Sequence, residues 1–360
     1  MKKIRLAIDA VNIKSGGGIV HLDGILNNFK SKNIDKIYVL INDKAFRSLQ
    51  KRNNYSKKIK FIKKEIFNKN ILLIFLWQLF FLEKFINKKK CNRLVSLNGY
   101  YLGSFKKTII FSQNALPFVG TKDYKFFYRI KLFLQKYIHI YSINKFKNVI
   151  FVSKFQKKII QKYLNSLKIK YKIIYHGVDS GIIKKKTYSK NKWNFIYVSQ
   201  INLYKNQIIL FQVFNKLIKQ GFKISLHCYG DNQINLSSDN NFIKIIKSIN
   251  QKKINKIYQK YDSFIFPSSV ESFGLPLLEA SRAGLPICCS GLSVFKEIID
   301  KKNLITFNEK NPNDIERKIR NIIFMKKKKL KKIIKLNYLR SLNFNWNKSS
   351  SQFFNFIENI

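Results

Sequence analysis

The stretch SFIFPSSVESFGLPLLEASRAGLPICCS, residues 263–290, reads as strand, loop, helix and strand in immediate succession. SFIFPS is a buried apolar run that ends at Pro267, which has no N–H to give to a sheet ladder. Pro276 suits the first turn of a helix, where its missing N–H costs nothing. LLEASRA continues the helix, and Gly284 with Pro286 stops it. LPICCS (285–290) then resumes a run of strand length. Such a unit belongs to a parallel sheet with helices on its faces.

The same alternation extends in both directions. IRLAID (4–9), KIYVLIN (36–42), RLVSLNG (93–99), TIIFSQN (108–114), NVIFVS (148–153) and KIIYHG (172–177) are near-continuous apolar runs, as expected of parallel strands covered on both faces. Amphipathic segments at 124–145 and 154–164 separate some of them and predict helices. Residues 178–194 are polar and lysine-rich, as in a linker. The pattern restarts with NFIYVS (194–199), a helix over 207–219 closed by Gly221, and KISLHCYG (223–230). The fold class is therefore α/β, with two Rossmann-like domains, 1–180 and 181–343, and a C-terminal helix at 344–360 expected to pack back on the first. The cleft between two such domains, at the carboxyl ends of the strands, is the expected ligand site.

With 360 residues and 46% hydrophobic content, the chain is long enough for two cores and too apolar for general disorder. Lys and Arg number 70 against 19 Asp and Glu, a formal charge of +51. Two readings of that excess stand side by side. Lysine accompanied by abundant Asn, Ile, Phe and Tyr is what an A/T-rich coding sequence produces. Alternatively, the charge attracts a polyanion such as an anionic membrane or a phosphorylated substrate. Nucleic acid is not expected, because the lysines run from end to end instead of gathering on one element. Cys91, Cys228, Cys288 and Cys289 have no C-x-x-C spacing and read as small buried hydrophobes. No cluster with metal-ligand spacing is evident. The opening MKKIRLAIDAVNI reads as a first strand and not as a signal peptide. The strongest apolar run, 71–82, is shorter than a membrane span requires.

Carboxylates are scarce here, so Glu271 and Glu279 around one helix start stand out. The amides of Ser272, Phe273, Gly274 and Leu275 lie where a helix begins, and such a terminus attracts anions. The two carboxylates suit sugar hydroxyls, which donate to an ionised acceptor, and would repel a bare phosphate. A ligand with hydroxyls at two points and a phosphate between them fits both features. The plain alternative is a solvated loop charge at Glu271 and a helix-favouring Glu279, which this reading puts in the first turn.

The pattern P-S-S-x-E-S-F-G-L-P-x-L-E-A-x-x-A-G-L-P over 267–286 resembles the signature of retaining glycosyltransferases of family 4, which have the GT-B fold. YVSQINLYKN (197–206), IIYHGVD (173–179), VIFVSKFQKKII (149–160) and SQNALPF (112–118) are similar to further elements of that family, in the manner of polysaccharide and O-antigen enzymes. The resemblance covers roughly 1–345 and is densest in 193–300.

The resemblance implies that Glu271 binds hydroxyls of the donor sugar and Glu279 the nucleotide ribose. It places the amides of Phe273, Gly274 and Leu275 on sugar and diphosphate, with Ser272 beside them, and Lys205 on the diphosphate. Gly16, Gly17 and Gly18 would form a loop near the donor phosphates. Gln200 and Gln113 stand where the family often has a basic residue and a His, so one charge and one titratable group are absent; Gln113 is nevertheless expected in the catalytic set. The implied activity is retaining transfer of a mannose- or glucose-type hexose from a nucleoside diphosphate sugar to a glycan or polyprenyl-linked acceptor, in surface polysaccharide synthesis. No cofactor and no metal are expected. A cytoplasmic location is expected, with peripheral attachment to the inner face of the plasma membrane open. Two alternatives remain: a glycoside hydrolase using the Glu pair, and a catalytically impaired sugar-nucleotide-binding protein.

Overall fold

The computed structural model describes residues 3–14, 16–51, 55–119, 124–165, 168–179, 192–247 and 251–360. They form two compact units, one of residues 1–177 with 346–360 and the other of 178–345.

The first unit is built on a parallel sheet of seven strands among the described residues: β1 (Ile4–Asp9), β2 (Ile34–Leu40), β3 (Ile59–Ile62), β4 (Arg93–Ser96), β5 (Thr108–Ser112), β6 (Asn148–Phe151) and β7 (Lys170–Ile173). Their spatial order is β3-β2-β1-β4-β5-β6-β7. The chain thus moves outward from β1 to one edge, then returns to the other side at β4, the switch point of a Rossmann sheet. Helix α1 (Gly17–Asn27) follows β1, and α2 (Asp43–Gln50) follows β2 with Asn42 capping the Ala45 amide. Helices α3 (Ile71–Phe80), α4 (Leu82–Lys88), α5 (Phe126–Phe146) and α6 (Lys154–Gln161) come next. Ile74, Trp77, Ile86, Ile143, Phe146 and Ile160 from these four helices share one core with Leu40, Leu94, Ile110 and Val149 of the sheet.

The second unit has a six-stranded parallel sheet among the described residues: β8 (Trp193–Val198), β9 (Ile224–Tyr229), β10 (Ile243–Ile246), β11 (Ser263–Phe266), β12 (Ile287–Ser290) and β13 (Ile305–Phe307). The order β10-β9-β8-β11-β12-β13 puts its switch point between β8 and β11. Helices α7 (Gln207–Lys219), α8 (Gln251–Tyr258), α9 (Leu275–Arg282), α10 (Ser293–Ile298), α11 (Pro312–Ile323) and α12 (Lys327–Ser341) connect and cover the strands. Arg282 of α9 is buried and donates to the Ser341 and Phe344 carbonyls, tying α9 to the end of α12.

Helix α13 (Trp346–Glu358) lies in the first unit against α1. Ser350 donates to the Ile25 carbonyl at 2.8 Å, and Ser349 to that of Tyr175 at 2.6 Å. Gly24 has no room for a side chain, since a Cβ there would sit 2.2 Å from the Trp346 ring. His21 and His176, whose Nδ1 atoms are 2.9 Å apart, are buried beside Trp346.

Several expectations need adjusting. The helix expected over 124–145 is Phe126–Phe146, and that over 154–164 is Lys154–Gln161. Gly17 and Gly18 are not loop residues but the first two residues of α1, with Gly16 ahead of them at φ 66°. Glu279 is not in the first turn of its helix but in the second. Most of the stretch read as a linker, 180–191, lies outside the described residues. The four cysteines are free and buried.

Candidate active site

Two loops meet at the switch point of the second sheet. The first follows β8 and runs through Gln200 and Asn202 to a single 3-10 turn, Leu203–Lys205. The second follows β11 and carries Glu271 to Gly274 before α9 begins. Because β8 and β11 are adjacent parallel strands, their carboxyl ends bring these loops together although 66 residues separate Lys205 from Glu271.

The Lys205 ammonium pairs with Glu271 Oε1, both side chains being nearly withdrawn from solvent. The ammonium also lies 5.2 Å from the ring centres of Tyr204 and Phe266, in cation–π contact with both. Asn206 holds the two loops in register. Its backbone takes the left-handed conformation (φ 54°), which Asn tolerates better than most residues. Its side-chain amide donates to the Pro267 carbonyl at 3.1 Å and the Ser269 hydroxyl at 2.7 Å. The Ser269 amide donates to the Tyr204 carbonyl at 2.9 Å, closing the link. Asn206 was visible in the Lys-Asn pair of YVSQINLYKN, but not its role as a clamp.

Gly274 precedes α9 at φ 102°, and a Cβ there would come 2.9 Å from Phe295. Only glycine fits such a backbone without strain. Leu275 and Pro276 then open the helix; Pro276 has no N–H to offer, and the Leu277 and Leu278 amides already donate to the Gly274 carbonyl at 3.1 and 3.3 Å. Phe273 is buried and Ser272 half-buried beside Glu271.

Glu279 is buried on the second turn of α9, and Tyr258 from the end of α8 donates to its Oε2 at 3.2 Å. Burial, and then the neighbouring Glu279 carboxylate, holds the Tyr258 phenol well above its ordinary range, so it stays a donor. No sequence motif announced Tyr258; it comes from a helix that is distant in the chain. The Gln200 carbonyl accepts from Gln207 Nε2 at 2.9 Å and from the Tyr197 hydroxyl at 3.3 Å. The structure therefore brings Lys205 and Glu271 into direct contact, with the glycine-led helix start next in chain. It gives Glu279 a separate buried partner.

Gly16, Gly17, Gly18 and Gln113 belong to the first unit. Gly16 and Gly17 are exposed, and a Cβ on either would meet nothing. Gln113 follows β5 and donates to the Leu97 carbonyl at 3.0 Å. Just before it, Ser112 is hydrogen-bonded to the buried His139 of α5 at 3.0 Å. Among the described residues no group of three His, Cys, Asp or Glu side chains is placed to hold a metal ion.

Residues 179–340 match the family described as glycosyl transferases group 1. The chain is 29% identical to the O-antigen chain mannosyltransferase B of Escherichia coli over 75 residues, 21% of this chain and 19% of that one. It is 26% identical to the O-antigen chain mannosyltransferase RfbU of Salmonella typhimurium over 226 residues, 58% of this chain and 62% of that one. The matched segments thus span less than two thirds of these curated relatives. Among solved structures, Anabaena HepE in complex with UDP and glucose superposes with a TM-score of 0.73 at 14% identity, covering 99% of this chain and 100% of that one. The likeness is one of fold: two Rossmann-like parallel-sheet units of the GT-B class.

Proposed function

We propose that this chain, whose residues 179–340 match the family of glycosyl transferases group 1, is a glycosyltransferase of surface polysaccharide synthesis. The donor is a nucleoside diphosphate hexose of the mannose or glucose type. The acceptor is a glycan or polyprenyl-linked saccharide, met at the cytoplasmic face of the plasma membrane. The observation that carries this reading is the Lys205–Glu271 pair at the switch point of the second sheet, beside a glycine-led helix start. That is a cation with the amides of Gly274 and Leu275 for a diphosphate, and a carboxylate for sugar hydroxyls. Two relatives named as O-antigen mannosyltransferases and a neighbour solved with UDP and glucose support the class of donor.

In this mechanism the donor's diphosphate takes the place of Glu271 on the Lys205 ammonium, freeing the carboxylate to accept from sugar hydroxyls. The bond between anomeric carbon and diphosphate oxygen breaks, and Lys205 with the amides of Gly274 and Leu275 stabilises the charge left on that oxygen. The acceptor oxygen bonds the anomeric carbon on the same face, and its proton passes to the departing diphosphate. The configuration is retained, and no divalent metal is needed. Glu279, held by Tyr258, receives the ribose hydroxyls.

A melting-temperature panel of UDP-, GDP- and ADP-sugars tests the donor, because a ligand that binds only the folded chain raises its melting temperature. A donor that raises it, followed by EDTA-insensitive sugar transfer or release of nucleoside diphosphate, is the expected result. No shift with any member would refute the reading.

A further inference from the structure

Helices α3 and α5 carry large apolar side chains on the wrong side. A helix packed on a sheet normally turns a polar face to water. Here Leu72, Leu76 and Phe80 form an exposed row on α3, with Leu72 62% exposed. On α5, Ile130, Leu134, Tyr137 and Tyr141 recur at helical spacing on the solvent side, and Phe127 is 84% exposed. Scattered exposed hydrophobes need no explanation, but a repeated row of them on each of two helices does.

The two helices cover one core. The inward residues of both helices enter the same core on one face of the first sheet. Between the helices, the Tyr100 hydroxyl donates to Gln78 of α3 at 3.2 Å, and the Tyr101 amide to Ser142 of α5 at 3.1 Å.

Charge identifies the occupant. Helix α5 contains Arg129, Lys131, Lys136 and Lys145 and no acidic residue. The one carboxylate of α4, Glu83, is taken up by the Ser104 hydroxyl at 2.8 Å and amide at 3.1 Å. Lysines lie alongside exposed rings: Lys131 is 5.6 Å from the Tyr128 centre, Lys145 5.5 Å from Tyr141 and Lys84 5.7 Å from Phe81. A second copy would bring like charges together. A nucleic acid would use the rings and the charge, but has no use for the aliphatic row on α3. An anionic lipid surface uses all three, taking leucines and rings into the acyl boundary while ammonium groups reach the headgroups. Among the described residues no helix is long and apolar enough to cross a membrane, so the face would lie on the bilayer.

We propose that the outer faces of α3 and α5 dock the first unit on an anionic lipid bilayer. This deepens the membrane location given above, resting on that reading for the choice of leaflet; the exposed rows and the charge argue the docking. The test is flotation of the full chain with vesicles of phosphatidylcholine alone, or mixed with phosphatidylglycerol. Two double variants, Leu72→Gln with Leu76→Gln and Phe127→Gln with Phe133→Gln, keep every charge. Phe324→Gln, at an exposed position of the second unit, is the control. Melting temperatures check that each variant folds. The expected result is flotation with the phosphatidylglycerol mixture only, lowered at least about tenfold by each double variant and unchanged by the control. Binding that survives both double variants is charge attraction alone and overturns the proposal. So does absence of binding, or loss of a dimer in sedimentation as the only effect of the double variants. Donor-induced melting shifts, read on the same samples, separate the two readings: vesicle binding without any donor shift would sink the transferase and leave the docking.

Discussion

The ammonium of Lys205 and the carboxylate of Glu271 are joined across the ends of β8 and β11, where the second sheet changes its winding direction. A pair so little exposed makes each partner the other's counter-charge while no donor is present. Removing one leaves the other uncompensated, which for a buried pair costs about 3–5 kcal/mol. Glu271→Ala and Lys205→Ala should therefore each lower the melting temperature, and Lys205→Met with Glu271→Leu should recover part of the loss. Turnover should fall about 100-fold or more in each single variant, as for loss of one group that stabilises the leaving charge. Steady-state kinetics on a donor identified by melting shift, beside a thermal double-mutant cycle, reads both effects.

Tyr258→Phe isolates the second carboxylate. It removes one hydrogen bond to Glu279 and keeps the ring, so stability should drop by about 1 kcal/mol. Donor KM should rise several-fold with kcat nearly unchanged, since the ribose does not react. A fall in kcat at constant KM would place Glu279 in the chemical step instead.

Gly274→Ala tests the entry to α9. The residue sits at φ 102°, and the added methyl would press on Phe295. A loss of about 1–3 kcal/mol is expected in urea unfolding. Donor affinity should fall with it, because the amides that follow would shift.

Acid should weaken the first unit in particular. Burial pushes His139 and His176 down to about 4, and His21 well below its ordinary value, where the nearby His176 adds to the effect. An unfolded chain takes up these protons below about pH 6.5. The native state resists until near 4. Stability is thus fully present above 6.5 and is lost as pH falls through this window, by about 3 kcal/mol for a single such histidine. Asp9, buried at the end of β1 and raised to about 6, runs the other way: its contribution declines as pH rises from 3.8 to 6. With three histidines against one aspartate, the urea midpoint should drop between about pH 7 and pH 5. His139→Gln should flatten that slope, and an unchanged midpoint would contradict the buried neutral histidines.

Much of this architecture could be read before any coordinates. The helix expected at 207–219 has those limits in the structure, and 263–290 forms the predicted strand, helix and strand, because buried runs and Pro or Gly stops mark them clearly. The strands β3, β10 and β13 escaped notice. All three are edge strands, short and partly exposed, so IKFI, IKII and ITF lack the apolar continuity of the central ones. Three successive glycines read as a loop since glycine is a poor helix former, yet two of them begin α1. The individual site residues were named from a motif, but the Lys205–Glu271 contact was not, since it depends on which strands are neighbours. Tyr258 was hidden for the same reason.

Helix α13 gives the first unit a discontinuous sequence. Its partners on α1 are synthesised early, whereas Trp346 and Phe353 arrive only after the whole second unit has been translated. On the ribosome the later unit can therefore finish folding first, while Gly24 and His21 wait with an apolar groove open to solvent. A nascent chain stalled before residue 346 would be a natural client for a chaperone.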